Sequence, residues 1–229
     1  MTLKKVTLWV AIGLVYNFVL RTAGTLLPGQ FRNLIIARVT TILSLLATLT
    51  MVLFFVYFVK EYIQKEQAKL QRASVLAIVS ISAVFLLQIK GLFLVFERSL
   101  VHLYDISPYL LRLVQPHSLE PMVVWASSIL ILVFFTVFHK ETVLQKRLKL
   151  QKATLIAAIG SAIAVLVRTF VLFNFLFSRQ ARWFTDLPKT MALVFFPAVI
   201  FSFLANLYFL ISFYLEQETE EPVFSSTGA

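Results

Sequence analysis

The sequence contains no cysteine. Disulfides, thiolate metal sites and cysteine nucleophiles are therefore excluded. Charge is also scarce. Asp, Glu, Lys and Arg make up 14% of the chain, against ~25% in a soluble domain. Acid is scarcest, with 11 Asp and Glu against 21 Lys and Arg. Asp105 and Asp186 stand alone in connectors, so no carboxylate pair offers acid–base chemistry or a divalent-metal site. The histidines, His102, His117 and His139, fall at span edges or in a connector. No H-x-x-x-H pair lies on a span, which removes bis-histidine haem ligation and a zinc-protease site. With only six glycines, no Gly-rich phosphate loop forms. The last apolar helix has no spanning lysine to hold retinal. The reading is of a protein that is not an enzyme and has no catalytic residues, cofactor or metal.

What the chain does have is apolar length. It is 59% hydrophobic, with a mean hydropathy of +0.86. A soluble globule could not hide that much apolar surface. The apolar runs are continuous rather than alternating at every second residue, which excludes barrel strands. A span needs ~20 apolar residues to cross ~30 Å of hydrocarbon. Six stretches qualify, at about 6–27, 35–59, 73–96, 122–139, 153–177 and 190–215. The expected fold is an all-α integral membrane protein with six transmembrane helices.

One stretch is written twice. Residues 54–97 and 134–177 align without a gap at 13 identities in 44 positions, including Phe54/Phe134, Phe55/Phe135, Lys60/Lys140 and Glu61/Glu141. Residues 5–22 match 152–169 at eight of 18 positions. The first apolar run is therefore a mature helix and not a secretory signal, despite Lys4 and Lys5 ahead of it. These matches predict three tandem helical hairpins, 5–60, 72–140 and 152–215, forming a single transmembrane domain over 1–215. The last descending helix is the most divergent, with Leu207-Tyr208-Phe209 echoing Leu53-Phe54-Phe55. The acidic segment 216–229 reads as a disordered tail.

The net charge of +10 would suggest nucleic acid in a soluble protein. Here the basic residues cluster in short connectors, so they read as topology signals facing anionic lipid, with no nucleic-acid partner. Eleven Lys and Arg lie on the side of Lys4, Lys60, Arg72, Lys140 and Arg147, and six on the other. By the positive-inside rule both termini are expected in the cytoplasm. The inner connectors 60–72 and 140–152 lack Gly and Pro and should extend the helices beyond the membrane. The outer connector 98–121 holds Pro108, Pro116 and Pro121, with a short apolar run, 109–114, suited to the interface. Pro197 should kink the sixth span.

Ionisable residues within spans are costly and point to function. They are Arg21, Arg38, Lys90 and Arg168, with Glu97 at an outer end. Arg21 and Arg168 hold the same repeat position, and the middle repeat places Gln88 there, with Lys90 two residues on. Arg21 lies 16 residues beyond Lys5, or ~24 Å along a helix, in the outer third of the bilayer. One reading is a ring of donors, Arg21, Gln88 and Arg168 with Lys90 nearby, that binds an anionic headgroup. The other is that each cation snorkels to the outer headgroups alone. Thr40, Thr41, Ser44, Thr48, Thr50, Ser80, Ser82, Gly160 and Ser161 read as packing seams. Asn17, Asn174 and Asn206 suit either helix contact or ligand contact.

Three two-helix repeats with both termini on one side resemble the plan of mitochondrial carriers. The Pro-x-acid-x-x-base signature of that family is absent from every repeat. The stretch from Leu87 to Glu141, with Phe96-Glu97 and Phe138-His139, looks like part of the fungal lipid-translocating exporter family, over a quarter of the chain. Three functions fit these observations. The first is a small transporter or lipid-binding protein with its ligand near the outer leaflet. The second is a non-catalytic subunit or assembly factor. The third is a receptor or sensor acting through the basic inner connectors. Membrane lipids are the expected partners, with protein partners possible at those connectors.

Overall fold

The computed structural model describes residues 2–26, 34–63, 67–101, 119–177 and 187–219. Side chains are described over 2–19, 39–63, 67–90, 92, 121–173 and 195–217. The described chain is helical: α1 Leu3–Leu26, α2 Leu34–Tyr57 with a π turn over Phe58–Tyr62, α3 Ala68–Val101, α4 Leu119–Leu144, α5 Leu148–Phe177 and α6 Leu187–Thr219. Each helix packs on its chain neighbours, and α6 returns to α1, so the six close a ring. Five contain segments long and apolar enough to cross a membrane: Val39–Tyr62, Ala68–Lys90, Pro121–Leu144, Leu148–Phe173 and Phe195–Gln217. Helix α1, which carries Lys4, Lys5 and Arg21, joins the same ring without meeting that measure over its described residues. Large apolar side chains cover the outside. Leu86 and Leu166, for example, are 65% and 69% exposed, as lipid-facing positions would be. These helices define a polytopic membrane protein.

Burial follows one helical stripe per ascending helix. In α1 it is Leu3, Val6, Thr7 and Val10; in α3, Leu70, Ala73, Ser74 and Ala77; in α5, Leu150, Ala153, Thr154 and Ala157. The spacing i, i+3, i+4, i+7 puts these residues on one face. In all three, the hydroxyl donates one turn back, from Thr7 to the Leu3 carbonyl at 2.9 Å, Ser74 to Leu70 at 2.8 Å and Thr154 to Leu150 at 2.9 Å. A hydroxyl can therefore be buried without an orphaned donor. One further turn along, the helices of each pair come close. A Cβ on Gly13 would lie 3.2 Å from Thr50 Oγ1 and 3.4 Å from Ala47. Ser80 Oγ meets Ser127 Oγ at 3.4 Å. A Cβ on Gly160 would lie 2.5 Å from Ala205 Cβ, so only glycine fits that crossing.

The descending helices supply an aromatic core. Phe54, Phe55 and Phe58 of α2, Phe134, Phe135 and Phe138 of α4, and Phe209, Leu210 and Phe213 of α6 are all buried. Phe58, Phe138 and Phe213 form a triangle with ring centroids 5.1, 5.7 and 6.2 Å apart. Tyr208 is 44% exposed, so the echo of Leu53-Phe54-Phe55 in Leu207-Tyr208-Phe209 is displaced by one residue. Phe209-Leu210 takes the buried places instead.

We call the end where Leu3, Tyr62, Arg147 and Glu216 meet the near end, and the opposite one the far end. The Leu3 N–H donates to Glu61 Oε2 at 2.7 Å, so a carboxylate caps the start of α1. Lys4 Nζ lies over the Tyr214 ring at 5.6 Å. Helix α4 runs past Lys140 to Leu144 as its connector predicts, whereas α2 ends at Tyr57 and only the π turn carries the chain past Lys60 to Tyr62. Helix α4 then ends in a Schellman turn. Lys146 N–H donates to the Val143 carbonyl and Arg147 N–H to the Thr142 carbonyl, both at 3.1 Å, with Lys146 at φ 56°. The helix at the C-terminal side runs on through Thr219, so Glu216 belongs to it and not to a tail. The remainder of the tail, 220–229, lies outside the described residues, as does the run 109–114. So do the side chains of Arg38, Glu97 and Asn174.

Candidate polar site in the far half

The stripe that is buried near the near end continues towards the far end. Steps of seven residues keep nearly the same face. In α5 the steps are Thr154, Ser161 and Arg168; in α3 they are Ser74, Ile81 and Gln88; in α1, Thr7, Leu14 and Arg21. Arg168 and Gln88 each stand ~200° from the exposed Leu166 and Leu86, two residues before them. Gln88 is half-buried there, whereas Arg168 is exposed at the flank of α5 and reaches a neighbour only through its long side chain.

Arg168 reaches across to α4. Its Nη1 donates to the Val124 carbonyl at 3.2 Å and to Ser128 Oγ. Ser128 in turn donates to the Val124 carbonyl at 2.7 Å. Next to this chain, Trp125 Nε1 donates to Thr169 Oγ1 at 2.8 Å, and Thr169 donates to the Val165 carbonyl at 2.8 Å. An arginine, a tryptophan and three hydroxyl or carbonyl acceptors thus stitch α4 to α5. This chemistry suits headgroup level, where an aromatic N–H and a guanidinium meet polar groups beside an apolar layer.

Two buried polar atoms in the same region meet no partner among the described residues: Gln88 Oε1 and Ser161 Oγ. Ser161 is only 4% exposed. Unpaired buried polar atoms are rare and call for a ligand, a water or strain.

The four candidate residues are not all brought together. Gln88 and Arg168 hold equivalent places on α3 and α5. Lys90 is exposed and lies ~40° from Leu86 around the helix, on the lipid-facing side and away from Gln88. The Arg21 side chain lies outside the described residues. The expected packing seams are present at Thr50, Ser80 and Gly160, while Thr48 is buried and donates to the Ser44 carbonyl of its own helix. Asn206 donates to the Ser202 carbonyl at 2.8 Å, within its own helix.

Sequence reasoning missed Ser128 and Trp125 as partners of the Arg168-Thr169 pair. The one available signal was that both lie, with Val124, on the helix preceding the arginine's own. It also missed a second polar cluster, at the near end. There His139 Nδ1 lies 3.2 Å from the Gln151 carbonyl and from Thr154 Oγ1, and Thr142 donates to the His139 carbonyl at 2.8 Å. That cluster is internally paired and joins α4 to α5 structurally. Among the described residues no group of three or more His, Asp or Glu could hold a metal ion.

No protein-family model, curated protein or solved structure matches the chain.

Proposed function

We propose that the chain is three copies of one helical hairpin, 5–60, 72–140 and 152–215. In this reading it forms a small transporter or lipid-binding protein that takes an anionic or polar headgroup in its far half. The threefold reading is supported by the registered stripes Leu3/Leu70/Leu150 to Val10/Ala77/Ala157. It is also supported by the close crossings at Gly13, Ser80 and Gly160, and by Glu61, Glu141 and Glu216, one at the end of each descending helix. In this reading the near end, which carries the basic connectors, faces the cytoplasm together with both termini, as the positive-inside rule favours. The far half then lies in the outer leaflet. The basic connectors face anionic lipid and are the natural place for a protein partner. No step of catalysis is part of this reading.

The observation that carries the ligand is the combination of the exposed Arg168 on α5 with the Ser161 hydroxyl on the same helix and the Gln88 amide oxygen on α3, two buried polar atoms without a partner among the described residues. A phosphate or carboxylate would accept from the guanidinium and the serine O–H, and a headgroup donor would meet the amide oxygen. Arg21 joins them by its repeat position, and Lys90 does not. The test replaces Arg21 and Arg168 together by Leu and measures lipid retained through purification by native mass spectrometry, from vesicles with and without anionic phospholipid. The reading expects anionic lipid on the parent and its loss from a double variant that still inserts and purifies. Equal retention by both would reduce the arginines to snorkelling.

A second reading, a non-catalytic subunit or assembly factor, draws support from the near half, whose axis is filled by phenylalanine. It expects the double Leu variant to retain full function.

A further inference from the structure

The near end is closed by a single stack to which all three hairpins contribute. The triangle of Phe58, Phe138 and Phe213 takes one ring from each descending helix. Tyr62, from the π turn, sits against all three, with centroids at 4.8, 5.5 and 5.3 Å. Arg147, from the turn before α5, lies over the Tyr62 ring at 5.7 Å and donates to its hydroxyl at 3.4 Å. The same Nη1 donates to Glu216 Oε1 of α6 at 3.2 Å. The order is therefore aromatic triangle, tyrosine, guanidinium, carboxylate, running from the core to the surface.

Three local costs gather at this stack, two of which, the π turn and the left-handed residue, occur nowhere else among the described residues. Tyr62 is presented by a π turn, a rare geometry that recurs at functional sites. Arg147 follows Lys146, the one described non-glycine residue at positive φ. Gln217, beside Glu216, has a buried side-chain oxygen with no donor among the described residues. A strained turn, a left-handed lysine and an orphaned amide all gather at one clasp. Strain of this kind persists where surrounding contacts over-determine it, and it narrows the gap to an alternative state. The pair that fastens the clasp is partly exposed, with side chains at 28% and 17%. It can therefore open to water without dismantling the core beneath.

We infer that Arg147, Tyr62 and Glu216 are a releasable clasp that holds the near end of the bundle shut, and that breaking the Arg147–Glu216 pair admits water from that side. This rests on the proposed function for the cytoplasmic orientation of the near end, which labelling in right-side-out vesicles checks, and for what the opening serves, namely passage or release of a far-half ligand.

The absence of cysteine makes the test clean. Ser74 is fully buried near this end, and Ser74→Cys is nearly isosteric. Its reaction with a membrane-impermeant maleimide, in inside-out vesicles, reports opening from the near side. Ser127→Cys, buried in the middle of α4, reports general loosening. Arg147→Gln should raise the Ser74→Cys rate about tenfold, as loss of one charge-assisted contact would, and leave Ser127→Cys unchanged. Arg147→Lys keeps the charge but loses the planar guanidinium over Tyr62, so its rate should fall between the parent and Arg147→Gln. If Arg147→Gln does not purify folded, Glu216→Gln carries the same test. An unchanged Ser74→Cys rate, or an equal rise at both reporters, overturns the inference. No ligand enters this measurement, so its failure is separate from failure of the far-half site.

Discussion

The two halves of the bundle are held by different physics. In the near half, eight phenylalanines from α2, α4 and α6 interlock with centroids between 4.8 and 6.2 Å, and most are under 5% exposed. In the far half, described side chains are mostly half-buried, and the joining falls to two separate ring pairs, Phe18–Phe203 at 4.1 Å and Phe170–Phe195 at 5.1 Å, and to a few polar contacts around Arg168 and Ser128. Lipid tails are as apolar as leucine, so burial against lipid gives helices no reason to meet. What remains is close packing and hydrogen bonding. The near half leans chiefly on the first, and the far half has less of it and depends more on the second. Packing is dense, geometrically demanding and indifferent to ligand. Polar stitching is sparser, and it leaves donors and acceptors that a headgroup can use.

The comparison can be broken most severely at its dense end. Phe58→Ala removes a ring that touches Phe54, Tyr62, Phe134, Phe138 and Phe213. A cavity at such a site costs about 3–5 kcal/mol. SDS titration of the purified protein should show the midpoint falling sharply. Ser128→Ala in the far half should cost only about 0.5–1.5 kcal/mol, the net worth of one hydrogen bond, because the exposed Arg168 keeps the Val124 carbonyl as acceptor. If the two variants lose equal stability, the halves are not held differently.

The aromatic core explains why the fold was only partly legible. Helix number and order could be read because a span is a matter of length and composition. Which face of a span turns inward could not, because almost every position is apolar and the contrast that marks a soluble core is missing. Phe54-Phe55 and Phe134-Phe135 were visible as identities between two segments, yet nothing in hydropathy separates them from the exposed Leu86. The spacing i, i+1, i+4 shared by Phe54-Phe55-Phe58 and Phe134-Phe135-Phe138 was the usable signal. It also gives the correct register for Phe209-Leu210-Phe213. Arg168 and Gln88 were legible as candidates because polarity stands out against an apolar background. The Arg147–Glu216 pair was not, since 69 residues separate the partners and the acid lay in what read as a tail.

A smaller effect, of opposite sign, sharpens the contrast from the far side. Gln88 has a buried amide oxygen without a donor among the described residues. Such a group costs about 1–3 kcal/mol relative to a satisfied one. Gln88→Met keeps the length and removes the polar atom, so the variant should be about 1 kcal/mol more stable in detergent while retaining less anionic lipid. Stability gained with binding lost is the signature of a residue kept for its ligand. A variant that is less stable and binds normally would make Gln88 a structural residue with a water partner.

The smallest effect lies in the clasp turn. Lys146 adopts φ 56° at the C′ position of α4, where glycine is the usual occupant because it has no Cβ to crowd the following carbonyl. The lysine side chain is exposed, so little packing is lost by removing it. Lys146→Gly relieves the left-handed strain and also loosens the unfolded chain, which offsets part of the gain. The net stabilisation should be about 0.5 kcal/mol. Lys146→Ala keeps the strain and should give none, which separates backbone relief from loss of charge. If strain in this turn narrows the gap between closed and open near ends, Lys146→Gly should also slow maleimide labelling of Ser74→Cys, by about twofold at that free energy. Faster labelling, or equal labelling in the Gly and Ala variants, would mean that the lysine's conformation is an incidental feature of a short turn with no part in holding the end shut.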